Sequence, residues 1–317
     1  MQEPIAAGSY EIAARIERLP AGRGLRRLVF LIAIGGWFEF YELFMPGGIA
    51  SGLVRDGIYR IHSDGLFDYH SFPSFLASFF FGMFLSTLLF SRLSDSFGRR
   101  LIFIWSMAAY SVCNVLIALC SSAAWIDVLR ACAGFGVGMQ LINNDSFLAE
   151  ILPGRLRGRY MTMAMVFVLS ATPFSVLVGT LFTPYAPLGL SGWRWVVLAS
   201  ALGGMLVWFI QRVLPESPRW LAARGRTVAA DAAMSNIEAA VTRDGAVLPP
   251  PSVVAPVAAL QKEGHWSEIF SRFYIRRTVA LSVLQFCQTI AVFGFGSWVP
   301  VLLVERGYTV VHSLAYT

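Results

Sequence analysis

Two carboxylates, Glu39 and Glu42, stand three residues apart in Trp37-Phe38-Glu39-Phe40-Tyr41-Glu42, inside the apolar run that opens this 317-residue chain. Three residues apart on a helix, they share one face. A carboxylate inside a helix surrounded by hydrocarbon is costly, so each marks a candidate functional position. Charge also gathers in two short segments between apolar runs, Ser91-Arg92-Leu93-Ser94-Asp95-Ser96-Phe97-Gly98-Arg99-Arg100 and Pro215-Glu216-Ser217-Pro218-Arg219-Trp220. No nucleophile–base pair, metal cluster or phosphate loop is evident, so neither an enzyme nor a bound metal or cofactor is expected. Gly134-x-Gly136-x-Gly138 lacks the preceding strand and third glycine of a dinucleotide fingerprint, and close helix packing explains it better. Cys113, Cys120, Cys132 and Cys287 lie in or at the end of apolar runs without metal-ligand spacing, which makes them packing residues.

The elements that must position these groups are long and apolar. Spans are expected at 28–52, 74–92, 101–121, 125–148, 160–183, 194–214 and 278–304, each close to the ~20 residues a helix needs to cross a bilayer. A mean hydropathy of +0.62, with 56% hydrophobic and 14% charged residues, excludes an ordinary soluble domain. The net charge of +6 is carried mostly by arginines flanking the runs, so topology explains it and no nucleic-acid partner is expected. Arg15, Arg18, Arg23, Arg26 and Arg27 precede the first span, and Arg155, Arg157 and Arg159 separate the fourth from the fifth. The positive-inside rule then puts the N-terminus in the cytoplasm. No removable signal peptide is visible. The chain divides into a cytoplasmic N-terminal segment (1–27), a six-helix bundle (28–214), a cytoplasmic central loop (215–277) and the first helix of a second bundle (278–317). Within the loop, 220–242 reads as a surface helix, the prolines between 249 and 256 as a stiff linker, and 266–277 as an amphipathic segment at the membrane face.

Residues 91–100 resemble the signature between the second and third helices of the major facilitator superfamily, Gly-x-Leu-x-Asp-Arg-x-Gly-Arg-Arg. Leu93, Asp95, Gly98, Arg99 and Arg100 match, while Ser91 stands for the first glycine and Ser96 for a basic residue. Arg130-x3-Gly134-x-Gly136-x-Gly138, running into Phe147-x2-Glu150-x2-Pro153-x3-Arg157-Gly158, is similar to the sugar-porter segment of the fourth helix. Asp145 replaces that group's proline. Gly192-Trp193-Arg194 and Pro215-Glu216-Ser217-Pro218-Arg219-Trp220-Leu221 resemble its sixth-helix motifs.

The resemblance implies an all-α membrane protein: the N-terminal six-helix bundle of a major facilitator transporter plus a seventh transmembrane helix, with an incomplete second bundle. It implies proton-coupled symport of a small polar metabolite, organic acid or sugar-like, by alternating access across a bacterial-type inner membrane. The alternative is a non-transporting sensor or remnant. Small molecules, protons and lipid are the expected partners; oligomeric state is open. Glu42 and Arg130 match the family's coupling pair, with Glu39 beside them. Asp95, Arg99, Arg100, Glu150, Arg157, Glu216 and Arg219 match its conformational gate. Asn143, Asn144 and Asp145 on the fourth span, and Gln285 and Gln288 on the seventh, suit substrate contact or polar packing between helices equally. Because the family works with twelve helices, the 317 residues alone are not expected to transport.

Overall fold

The computed structural model describes residues 3–243 apart from 63, 64, 66, 67 and 69, together with 247–250, 266–294 and isolated positions up to 306. The side chains of 3–7, 90–96, 207, 208, 211, 212, 266 and 293 lie outside that description. Among the described residues the secondary structure is helical, with a single isolated bridge between Arg60 and Ser71. The helices are α1 (Glu3–Glu17), α2 (Arg23–Arg55), α3 (Phe72–Phe97), α4 (Arg99–Leu119), α5 (Ala123–Ile151), α6 (Gly154–Leu169), α7 (Ala171–Phe182), α8 (Gly192–Val213), α9 (Pro218–Ala223), α10 (Thr227–Thr242) and α11 (Ile275–Thr289).

Among the described residues, five segments are long and apolar enough to cross a bilayer: Arg23–Arg55, Phe72–Leu89, Arg99–Leu119, Ala123–Ile151 and Gly154–Phe182. The last is not the single helix expected over 160–183. It breaks at Ser170, because Pro173 has no N–H to give Leu169 and its ring crowds the carbonyl of that turn. Pro46 sits within α2 without dividing it, as membrane helices allow where neighbours satisfy the freed carbonyl.

In the bundle α5 packs between α3 and α4, α4 continues onto α8, and α2 lies against α5, α6, α7 and α8. Small residues make the first contact possible. A Cβ added at Gly134 would stand 2.0 Å from the Phe79 carbonyl oxygen, and one at Gly82 would stand 1.9 Å from that of Ala131. Lipid gives apolar helices no hydrophobic reason to associate, so close backbone approach supplies the dispersion contact instead. Phe81, Phe84, Trp105, Val112, Trp125 and Met205 stay exposed on the outside of the bundle, forming an apolar perimeter suited to lipid.

The region expected as one surface helix over 220–242 is a pair, α9 and α10. Gly225, at φ +71°, divides them. Its N–H donates to Ala222 O and that of Arg226 to Leu221 O, a Schellman closure that only a residue at ease with positive φ completes. At 1–27, where the sequence suggests no element, α1 packs on α9 and α10. Ile12, Ile16 and Leu19 join Trp220, Leu221, Met234 and Ile237 in one core with the adjoining bundle residues. Arg15 and Arg18 donate to the Glu238 carboxylate, each with one bond of 2.7 Å. Burial pushes the Glu238 carboxyl up, but hydrogen bonds from Arg15 and then Arg18 prevail and hold it below the usual carboxylate range.

Past residue 266 a short 3-10 turn, Trp266–Phe270, leads into α11, which buries no residue. A π-helical turn, Ile290–Gly294, follows it; most of the rest of the seventh span expected to reach 304 lies outside the described residues.

Candidate functional site

The two halves of the bundle core meet on α2, where Tyr41 belongs to one cluster and Leu43 to the other. Glu42 lies between them with no exposed surface, and neither has Arg130 of α5. Glu42 Oε1 accepts from Arg130 Nη1 in a buried ion pair. Glu42 Oε2 accepts from Asn114 Nδ2 of α4 at 2.8 Å, and that amide also donates to Ser200 Oγ of α8 at 2.7 Å. Three helices therefore meet at one carboxylate, and Asn114 ties in a fourth. The guanidinium carbon sits 4.5 Å from the Phe75 ring centroid and 4.2 Å from that of Phe79, both on α3. Those faces supply cation–π attraction, while Nε and Nη2 of Arg130 have no hydrogen-bond partner among the described residues. A charge pair deep in a membrane bundle is tolerated only where such contacts offset its desolvation.

Glu39 shares the buried side of α2, at 2% exposure, but takes different company. Asn144 Nδ2 reaches its Oε2 at 3.4 Å. Glu39, Asn144 and Asp145 line a pocket of about 210 Å³ between α2, α5 and α6. Asn143, beside them in sequence, turns away and donates to the Arg99 carbonyl at 2.8 Å. Gln285 and Gln288 lie on exposed α11, apart from this pocket.

The charged motifs meet at the end of the bundle where α3 gives way to α4. Gly98, at φ +97°, joins the two helices, and a Cβ there would come within 2.6 Å of Glu216 Oε2. Glu216 Oε1 accepts from the backbone N–H of Arg99 at 2.9 Å and of Arg100 at 3.0 Å, answering two open donors at the start of α4. Ser217 caps α9 through Trp220 N, and Pro218 fills the first turn, where a missing N–H costs nothing. Arg99 also pairs with Glu150 at 3.0 Å. Arg219 stands 3.6 Å from Glu17 of α1; burial first, then the neighbouring Arg157, disfavour its charge, while Glu17 and Glu150 favour it. The side chain of Asp95 lies outside the described residues. Glu17 meanwhile accepts from Gly154 N at the start of α6.

Sequence reasoning misses Asn114, Ser200 and Glu17, and it misses Asp127, which accepts from Tyr59 Oη at 2.7 Å and from Ser74 at the far end of α5. An asparagine or serine in an apolar helix carries no local pattern that announces its partner.

The family model described as "Sugar (and other) transporter" fits residues 28–293. The chain belongs to that family. Members similar to it include YyaJ of Bacillus subtilis (strain 168), a protein named for metabolite transport, 31% identical over 96% of this chain and 65% of that protein. The niacin transporter NiaP of Acinetobacter baylyi is 27% identical over 96% of this chain and 66% of its own length. The chain thus spans about two thirds of these relatives. The crystal structure of a D-xylose-proton symporter superposes with a TM-score of 0.63 at 18% identity, over 90% of this chain and 63% of that one. It shares the major facilitator fold, and this chain is a multi-pass membrane protein of the sugar-porter type.

Proposed function

We propose that the protein carrying this chain is a secondary active transporter, which moves a small polar metabolite together with a proton by alternating access. The observation that carries the reading is the fully buried Glu42–Arg130 pair inside a transporter-family bundle. An opposite charge within reach favours a carboxylate's ionised form, and burial disfavours it. A pair that separates between two conformations therefore changes its hold on a proton as the site changes sides. The names of the relatives, a niacin transporter and a metabolite transport protein, agree with a small-molecule cargo, and a proton symporter has the same fold.

On this reading the bundle lies in the inner membrane, with α1, α9 and α10 on the cytoplasmic side, where the arginine-rich connections belong. Residues 28–214 form one wall of the transport path, and α11 opens the second. Substrate acts by binding one conformation better than the other. The protein in proteoliposomes should accumulate its metabolite when the outside is made acidic and stop when a protonophore collapses the gradient. Uptake that ignores the protonophore would refute proton coupling.

Glu216, Arg99 and Glu150 then act as a latch on the cytoplasmic side, joined by Arg100, Arg157, Arg219 and Asp95. Exposed pairs contribute only ~0–1 kcal/mol singly, so the latch matters by tilting a two-state balance. Glu216→Ala strips the Arg99 and Arg100 N–H groups of their acceptor and should raise labelling of a cysteine engineered on the cytoplasmic side of the path. Unchanged labelling contradicts the latch.

A further inference from the structure

The pocket between α2, α5 and α6 collects negative charge and hydrogen-bond acceptors that the protein does not answer. The buried Glu39 lines it, and among the described residues the Asn144 amide is the one donor that reaches that carboxyl group, at 3.4 Å, a weak bond. Asn144, which lines the pocket, is only 8% exposed, yet its Oδ1 has no partner among the described residues. Asp145 lies at the exposed rim, near enough to Glu39 for the two carboxylates to repel. No arginine, lysine or histidine is among the described residues lining the pocket; its remaining walls include Ile32, Phe40, Met161, Met165 and Val168. Arg130, on the same helix, is occupied by Glu42 and held between two phenyl rings.

A carboxylate out of water keeps its charge only where a cation or several donors compensate it, so a cation is the ligand that this site would hold in its charged form. We infer that this pocket binds an organic cation, a molecule with an ammonium or guanidinium head on an apolar body. The head donates to Glu39 and to Asn144 Oδ1, Asp145 draws it in at the rim, and the Phe40 ring and the two methionines receive the body. A neutral sugar would bring donors but no positive charge to set against the two carboxyl groups. An organic acid would add a third. The inference rests on the transport reading only in calling the ligand a substrate; binding itself is independent of it.

The test uses three probes of similar size and different charge: 2-phenylethylammonium, 2-phenylethanol and phenylacetate. Each is titrated calorimetrically into the purified protein in nanodiscs of uncharged lipid. The ammonium should bind at least tenfold tighter than the alcohol, and phenylacetate should give no binding heat. Glu39→Gln should weaken ammonium binding tenfold or more, and Asp145→Asn should weaken it less and in a way that added salt masks. Asp145→Lys, at an exposed position, places a competing cation at the rim and should abolish binding in a variant that leaves Glu39 in place. Absence of ammonium binding, equal affinity for the alcohol, preference for phenylacetate, or full affinity in Asp145→Lys overturns the inference. Ammonium binding without any gradient-driven uptake would count against the transport reading and leave this one standing.

Discussion

Glu42→Gln is expected to abolish concentrative uptake while leaving exchange of labelled for unlabelled substrate across the membrane. The amide keeps the size of the carboxylate and an oxygen for Asn114 Nδ2, at 2.8 Å in the native protein, but leaves Arg130 without its counter-charge, so the variant loses stability and is compared at equal amounts of folded protein. What disappears is the ability to bind and release a proton, and with it the half of the cycle that returns the empty carrier with Glu42 reset. Exchange needs no such reset, because substrate occupies the carrier in both directions. Proteoliposome uptake under an imposed pH gradient should fall to the equilibrated level, with counterflow close to that of the unmodified protein. Retained accumulation would remove Glu42 from the coupling mechanism.

Arg130→Met carries the second large effect, on stability. Breaking a buried ion pair by deleting one partner typically costs about 3–5 kcal/mol, because the surviving charge is left without compensation. Here the loss includes the contacts of the guanidinium with Phe75 and Phe79. The unfolding temperature in detergent should drop sharply. Adding Glu42→Gln to Arg130→Met should recover much of the drop, since the pair then leaves no uncompensated charge, and Glu42→Gln measured alone completes the cycle that gives the coupling energy. Equal losses in the single and double variants would mean that the arginine stabilises through its ring contacts alone.

Much of this architecture is legible in the sequence because a bilayer makes hydropathy decisive. The apolar runs locate α2, α3, α4, α5 and α8 to within a few residues, since a spanning helix cannot end inside hydrocarbon without leaving polar backbone unpaired. The break at Ser170 is also written there, in Pro173, but within a span long enough to read as one helix. Helix α1 leaves a fainter trace. Its apolar residues Ile12 and Ile16 make sense only against Met234 and Ile237, more than two hundred positions away.

The site divides along the same line. Spacing places Glu39 and Glu42 on one face of α2, yet a shared face does not decide who partners each. Residues on other helices do: Asn114 and Arg130 surround Glu42, and Asn144 meets Glu39. The motif around 215–220 shows its purpose only in three dimensions, where Glu216 answers the backbone of α4 and a glycine at 98 leaves room for it. Asn143, a neighbour of Asn144, is committed to the Arg99 carbonyl, which the run Asn-Asn-Asp gives no means of foreseeing.

The central claim is that substrate and proton move together through a site controlled by Glu42. Its most direct test is proton movement itself, followed with a pH-sensitive dye sealed inside proteoliposomes that start with no pH gradient and a membrane potential clamped at zero. External substrate should acidify the lumen in step with entry of labelled substrate, and Glu42→Gln should let label equilibrate without the acidification. Substrate entry with no acidification in the unmodified protein, or the same acidification in Glu42→Gln, would contradict the account.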